Sequence, residues 1–323
     1  MTVGPVAVTG ASGFIGAAVA LRCRSEGREV RGVDIETDID GSVQRGDISR
    51  SGEWEVAFDG ADLVIHTAAL VSNTATRDQA WNVNVLGTHH VLEAARRARV
   101  TRVVVFSSAA VYSHRRDGAV TEDTPVRPGD GVYGDTKIAA ENAALRAAAA
   151  GGIEVTILRP ANVYGPGSRP WTVSPVRNLR AGRVVLPAHG QGVFDPVYVD
   201  DVVAAAIAAG DADEAAGQVI NIGGGAPVTT AEFFGHYARM LGIGPPKTAP
   251  TTLASGLAGL VGWTSRATGR PSEITPATMR MLSGTGFLSI ERARLVLGWV
   301  PAIDLEEGMA RTEAWLRAEG ELG

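Results

Sequence analysis

Tyr133 and Lys137 stand four residues apart in Tyr133-Gly134-Asp135-Thr136-Lys137, at the head of an alanine-dense stretch. An i, i+4 pair shares one helical face, so the ammonium can lie near the phenol oxygen and draw its pKa down from about 10 towards working pH. Such a tyrosine is a usable acid and base. Chance produces this spacing often, and an amphipathic face would carry it equally well; what makes it specific is Ser107-Ser108 upstream, at the end of a β-branched run. A hydroxyl there can hydrogen-bond a substrate carbonyl or alcohol while the tyrosine moves the proton.

A second pattern suits a dinucleotide. Thr9-Gly10-Ala11-Ser12-Gly13-Phe14-Ile15-Gly16 follows a short apolar run and opens an apolar helical stretch. Gly10 fits the sharp bend, Gly13 lets a phosphate approach the amides, and Gly16 lets the helix pack closely on its strand. The helix N-terminus then offers free N–H groups and a partial positive charge to a pyrophosphate. Asp34, eighteen positions beyond Gly16, ends a second β-run. A carboxylate there accepts hydrogen bonds from the adenosine ribose and repels a 2'-phosphate, and the next two residues, Ile35 and Glu36, supply no cation. NAD is therefore expected over NADP. Asp47, after Gly46, can reach the adenine amino group from the following loop, with Ile48 beside it.

These groups need a scaffold that gathers loop residues at one edge. Short β-branched runs over 6–9, 29–34, 63–66, 102–107 and 154–158 alternate with helical stretches over 14–26, 76–98 and from 132 to 150, which stops at Gly151-Gly152. That rhythm predicts an α/β fold, a doubly wound parallel (Rossmann) sheet. Prolines punctuate the chain after Pro160, so 1–159 is expected to be the NAD-binding domain, with later returns near 193–225, and 160–323 mainly a smaller substrate-binding lobe. The run 218–222 reads as a strand returning to the sheet, and Thr229 with Glu232 as a capping box for a helix to Leu241. The stretch 251–281 has no strong period. The tail 290–318 reads as a helix, a turn at Pro301 and a final helix. Asp200 and Asp201, ahead of an apolar run, read as helix caps.

Length and composition bound the partners. With 323 residues, 45% apolar and 20% charged, the chain suits a soluble globular enzyme with one large domain and a lobe. A net charge of −5 and no basic stripe argue against nucleic acid as a partner. The single cysteine, Cys23, reads as a buried thiol and fits a reducing cytoplasm. No signal peptide is read at the N-terminus and no segment reaches membrane-spanning length. The six histidines show no ligand spacing, so no catalytic metal is expected; His66 reads as a satisfied core histidine.

Taken together, the glycine turn, Asp34, the Ser-Ser strand end and the Tyr/Lys pair make the sequence resemble the extended short-chain dehydrogenase/reductase family, the NAD-dependent epimerase/dehydratase group. The resemblance covers nearly the whole chain. Further matches are His66-Thr67-Ala68-Ala69, Asn82-Val83-Asn84 with Gly87-Thr88, Thr121-Glu122-Asp123, the run from Arg159-Pro160-Ala161-Asn162-Val163 to Gly167, and Val197-Tyr198-Val199-Asp200-Asp201. The resemblance implies that Ser108, two residues before Ala110-Val111-Tyr112, is the catalytic serine beside Tyr133 and Lys137, and that Ser107 lines the nicotinamide. It adds Ala68, Ala69, Pro160, Asn162 and Val163 to the cofactor contacts. Asn84 is expected to tie the 102–107 strand to the helix through backbone bonds.

Departures narrow the activity. Tyr112-Ser113 stands where Tyr-Gly commonly closes the serine loop. Dehydratases of the family carry Thr-Asp-Glu where this chain has Ser108-Ala109-Ala110, so dehydration is not expected. Gly269-Arg270-Pro271, Ile274-Thr275-Pro276, Phe287, Ala293, Leu297-Gly298-Trp299 and Leu305-Glu306-Glu307-Gly308 look like the C-terminal region of the 3β-hydroxysteroid dehydrogenase branch. The expected protein is an NAD-dependent oxidoreductase passing hydride between nicotinamide and a secondary alcohol or ketone carbon. Two alternatives are a nucleotide-sugar 4-epimerase and a non-catalytic NAD-sensing regulator. A small, largely apolar substrate is favoured because Phe194, and not arginine, precedes Asp195, while Leu253, Leu257, Leu260, Val261 and Trp263 could close over such a ligand or form ordinary lobe core. Arg177, Arg180, Arg183 and Arg270 are the cations left for a diphosphate. A homodimer is expected through the helices that follow 63–66 and 102–107.

Overall fold

Val6 and Val8 face one hydrophobic cluster and Ala7 faces another, so the first strand is buried on both sides. The same alternation recurs at Leu63, Val64 and Ile65 and at Val103 to Phe106. Strands covered on both faces belong in a parallel sheet whose crossovers are helices. The computed structural model describes residues 4–37, 42–72, 74–113, 117–267 and 275–322, with side chains throughout except at 261–267. Its main sheet comprises β1 (Val6–Thr9), β2 (Val30–Asp34), β3 (Val43–Arg45), β4 (Leu63–His66), β5 (Arg102–Phe106), β6 (Glu154–Pro160) and β7 (Val219–Ile222). All pairings are parallel and the order is β7-β6-β5-β4-β1-β2-β3. Chain direction across the sheet therefore reverses between β1 and β4, the point where such sheets open a crevice at their carboxyl edge.

The helices are α1 (Phe14–Ser25), α2 (Arg77–Trp81), α3 (Gly87–Arg97), α4 (Val132–Ala150), α5 (Ser174–Arg180), α6 (Val199–Asp211), α7 (Thr230–Met240), α8 (Thr251–Ala267), α9 (Pro276–Leu282), α10 (Glu291–Leu297) and α11 (Leu305–Ala318). Helices α1 and α6 cover one face of the sheet. On the other lie α3, α4 and the short turn Glu53–Phe58.

Several expectations change. The helix expected over 76–98 is interrupted by a π-turn, Asn82–Leu86, between α2 and α3. The widened turn holds Asn84, whose carboxamide accepts from Leu70 N at 2.7 Å and donates to Leu70 O and to Thr136 Oγ1. Asn84 thus ties the loop after β4 to α4, not to the 102–107 strand. The stretch 251–281 contains α8 and α9; α8 buries Ala254 and Ala258 and leaves Leu253, Leu257 and Leu260 exposed, so small residues on its packed face blur the period that would announce a helix. Those three leucines are therefore not lobe core. Val261 and Trp263 lie outside the described side chains, and Arg270 with Gly269, Pro271 and Ile274 lies outside the described residues. Finally, Tyr198 is the N-cap residue of α6, and Asp200 and Asp201 sit in its first turn. Asp201 instead accepts from Ala302 N and Ile303 N, pinning the C-terminal segment, because its carboxylate points away from the helix amides.

Candidate active site

The dinucleotide turn leaves β1 at Gly10, whose φ of +75° is left-handed, and a Cβ there would meet Ala68 N at 2.7 Å. Gly16 is tighter still, since its Cβ would lie 2.0 Å from Gly10 O. Glycine at both positions is thus what lets α1 and the Ala68-Ala69 loop close on the strand end. Gly13 is the N-cap residue of α1 and no side chain caps the helix, leaving its first amides, at Phe14, Ile15 and Gly16, without a side-chain acceptor. Asp34, at the end of β2, accepts from Ser12 N at 3.0 Å, so the acidic residue and the turn are joined directly. Asp47 turns inward on its own loop: it accepts from Ser49 N, and hydrogen bonding to Ser49 holds its carboxyl below the usual range. Ile48 beside it is buried against Gly87.

The second half of the site hangs from β5, β6 and α4. Ser107 follows β5 directly, and its buried Oγ has no protein partner. Ser108 begins a short 3-10 turn, Ala109–Tyr112, its Oγ accepting from Ala110 N at 3.1 Å. The half-buried Tyr133 stands near the Ser108 side chain, whose hydroxyl favours its ionised form. Lys137 lies one turn on, buried, with Nζ donating to Phe106 O at 2.7 Å and sitting 5.9 Å from the Tyr133 ring centroid. Ser108, Tyr133 and Lys137 are therefore brought together at the carboxyl edge. Pro160 ends β6, and Asn162–Tyr164 pairs with Pro196–Tyr198 beside it, with Val163 buried in the pairing.

The electrostatics depart from the expectation that lysine lowers the phenol. Burial pushes Tyr133 up to about 12, offset in part by the Ser108 hydroxyl. Burial also brings Lys137 down to about 8, against the field of Glu141. The ammonium is spent on the Phe106 carbonyl, and desolvation of the phenol outweighs it. His66 is a core histidine, pushed down to about 3 by burial and by Lys137, with Nδ1 2.7 Å from Thr9 Oγ1 and Nε2 3.0 Å from Thr88 Oγ1.

Four participants were not singled out as site residues from the sequence. Glu141 and Arg159 form a buried bidentate ion pair, Arg159 also donates to the Tyr112 hydroxyl, and that hydroxyl donates to Asn221 Oδ1. The available signal was a charge in each of two otherwise buried positions, four residues past Lys137 and immediately before Pro160. Asp195 is a stitch between segments, accepting from Gly224 N and Leu288 N, and its neighbour Phe194 packs on Phe233 at 4.2 Å between ring centroids.

The model of the NAD dependent epimerase/dehydratase family matches residues 6–223. The chain belongs to this family. Over 96% of this chain and 97% of the other, it is 31% identical to UDP-glucose 4-epimerase of Mycolicibacterium smegmatis. It is 30% identical to 3beta-hydroxysteroid-dehydrogenase/decarboxylase isoform 2 of Arabidopsis thaliana over 88% of this chain, which spans only 54% of that longer relative. Among solved structures, MoeE5 in complex with UDP-glucose and NAD is 32% identical, with a TM-score of 0.79 over 98% of this chain and 99% of that one. As a member of this family the chain is an NAD-dependent enzyme of the extended short-chain dehydrogenase/reductase type.

Proposed function

We propose that the protein is an NAD-dependent oxidoreductase acting on a secondary alcohol or ketone of a small, largely apolar substrate, with Ser108, Tyr133 and Lys137 as its catalytic residues. The observation that carries the reading is Ser108 just past the end of β5 with Tyr133 and Lys137 one turn apart on α4, Lys137 anchored to Phe106 O, beside a glycine cradle and an unpartnered Ser107 Oγ. The residues fit NAD: Gly10, Ser12, Gly13, Phe14, Ile15 and Gly16 receive the pyrophosphate, Asp34 the ribose, and Asp47, Ile48, Ala68 and Ala69 the adenosine. Ser107, Tyr133, Lys137, Pro160, Asn162 and Val163 hold the nicotinamide half. NAD supplies the hydride acceptor or donor. Ser108 hydrogen-bonds the substrate oxygen; in reduction the Tyr133 phenol gives its proton to that oxygen and becomes phenolate, in oxidation the phenolate takes the hydroxyl proton, and the Lys137 charge one turn away favours the phenolate in both directions. A phenol at about 12 holds its proton at neutral pH, as donation to a carbonyl oxygen requires.

Preference for an apolar substrate rests on where the cations are. Phe194 is locked into an aromatic cluster with Trp171 and Phe233, and among the described residues no basic side chain lines the recess beside Asn162, walled by Phe194, Asp195, Met281, Gly284 and Gly286. Arg177 and Arg180 are committed to Glu321 at the C-terminal tail. A buried diphosphate needs charge-assisted donors. The second reading, a nucleotide-sugar 4-epimerase, is favoured by the end-to-end alignment with UDP-glucose 4-epimerase. Residues 1–159 with the returns near 193–225, which supply α6 and β7, serve as the cofactor domain, and the rest of 160–323 is mainly the substrate lobe. We further propose a cytoplasmic homodimer. Its interface is the outer side of α2, α3 and α4, where Trp81, Leu86 and Leu145 are exposed.

Calorimetry on the NAD-loaded protein separates the two substrate readings. An apolar cyclic alcohol should bind and reduce NAD while UDP does not bind. Tight UDP binding that is lost on mutating Arg183 or Arg270 would replace the first reading by the second.

A further inference from the structure

On the reading that Lys137 serves Tyr133, we propose that Glu141 and Arg159 are positioning residues for Lys137, a buried ion pair behind the site that fixes the field around the ammonium and joins its helix to the serine turn. Glu141 is one turn beyond Lys137 on α4, so the two share a helical face. Arg159 grips its carboxylate at both ends, Nε to Oε1 at 2.8 Å and Nη2 to Oε2 at 2.6 Å, with both residues about 5% exposed or less. The remaining nitrogen, Nη1, donates to the Tyr112 hydroxyl at 2.7 Å. Tyr112 closes the turn that Ser108 opens, so one guanidinium connects the serine turn, α4 and the end of β6.

A buried pair of this kind contributes little net stability, because desolvating both ions offsets their attraction; two apolar side chains would serve packing as well. Its effect on a neighbouring charge is different. The groups around Lys137 are Tyr133 and Glu141 on its own helix, His66 of β4 and the Phe106 carbonyl of β5, with Arg159 of β6 behind Glu141 as its partner. His66 is neutral at working pH, and Glu141 supplies the negative field that opposes burial and keeps the ammonium protonated. Arg159 mutes that field by neutralising part of it. The two members of the pair therefore act on Lys137 with opposite signs.

The sequence makes the idea directly measurable, because Lys137 and Lys247 are its two lysines. In protein carrying Lys247→Arg and isotope-labelled lysine, the ε-methylene NMR signal of Lys137 titrates alone, in NAD-free protein and without any substrate. Glu141→Gln should move its midpoint down from near 8 by at least about half a pH unit, and Arg159→Gln should move it up by a similar amount. Should either single variant fail to fold, the double variant Glu141→Gln/Arg159→Gln keeps two hydrogen-bonding amides without charge and should move the midpoint down. A midpoint unmoved in the double variant, or single-variant shifts of the same sign, would overturn the proposal. A merely structural pair would lower the melting temperature without this sign reversal. Because turnover is not read, retention of activity in Tyr133→Phe would sink the catalytic reading separately from this one.

Discussion

Lys137 Nζ donates to the backbone carbonyl of Phe106 at 2.7 Å and stands off the phenol of Tyr133 one turn back on the same helix. The lysine is therefore anchored to the strand that leads into Ser107-Ser108, and it is the Ser108 hydroxyl that offsets in part the upward push of burial on the phenol. If Tyr133 moves the substrate proton, its hydroxyl is needed for turnover and not for holding NAD. Tyr133→Phe should then retain NAD affinity within about threefold and lower turnover by at least about a hundredfold, the scale of one acid-base group. Steady-state rates and an NAD titration on the same preparation check this. Unchanged turnover would remove Tyr133 from the mechanism.

Gly16 and Gly235 make a matched pair of helical glycines. A Cβ at Gly16 would press on Gly10 O and on Thr67 Oγ1, neither free to retreat, whereas a Cβ at Gly235 in α7 would meet nothing within 4 Å. Gly16→Ala should cost about 1–3 kcal/mol of stability and abolish NAD binding. Gly235→Ala should gain about 0.5–1 kcal/mol, the helix preference for alanine, and leave NAD binding intact. Urea unfolding with and without NAD measures both. Equal behaviour of the two variants would mean the turn is not a tight cradle.

Sheet and cofactor turn were legible because their signals are local. Burial on both faces makes β1, β4 and β5 continuous apolar runs, and Gly10 and Gly16 are demanded by contacts within a few residues and one loop. β3 escaped notice because three residues, Val43 to Arg45, carry no period of their own and exist only by pairing with β2. The π-turn at Asn82–Leu86 escaped because it follows from Asn84 bonding to Leu70 and Thr136, far away in sequence. Helix α8 was hidden by packing on alanine. The Glu141–Arg159 pair was visible only as two charges in apolar surroundings; that they meet depends on how α4 crosses β6.

Asp34 bonds to Ser12 N through Oδ2, which sets its carboxylate against the head of α1. A 2'-phosphate brought to this edge meets a negative charge with Ile35 and Glu36 beyond it. NAD should bind more tightly than NADP, and Asp34→Ala should narrow the gap at least about tenfold, mainly by relieving the repulsion. Fluorescence titration with both cofactors gives the ratio. A wild-type preference for NADP would show that Asp34 does not face the adenosine ribose.

Trp81 and Leu145 lie exposed on α2 and α4, two helices that pack together over one face of the sheet. Large apolar side chains left out of a core are what a dimer interface buries. Light scattering on the wild type should give twice the 33.6 kDa chain mass, and Trp81→Glu with Leu145→Glu should give the single-chain mass. A wild type that elutes as a monomer at micromolar concentration would exclude this interface.

His66 supplies the sharpest test of how the core responds to acid. Thr88 Oγ1 gives its proton to Asn84 O at 2.7 Å, so it accepts from Nε2–H of the imidazole, and Nδ1 in turn accepts from Thr9 Oγ1. Both ring nitrogens are satisfied only in the neutral ring; a second proton on Nδ1 would have to be fitted beside the Lys137 charge. The folded value near 3 lies below the unfolded value of 6.5, so between them the unfolded chain binds the extra proton. The stability owed to the neutral ring is complete above pH 6.5 and is lost as pH falls towards 3, by at most about 1.4 kcal/mol per pH unit. His66→Asn keeps a hydrogen-bonding side chain without a titrating ring. It should be less stable than the wild type at pH 7, and its urea midpoint should fall less steeply between pH 6.5 and 4. Parallel pH profiles for the two proteins would show that protonation of His66 does not limit acid stability.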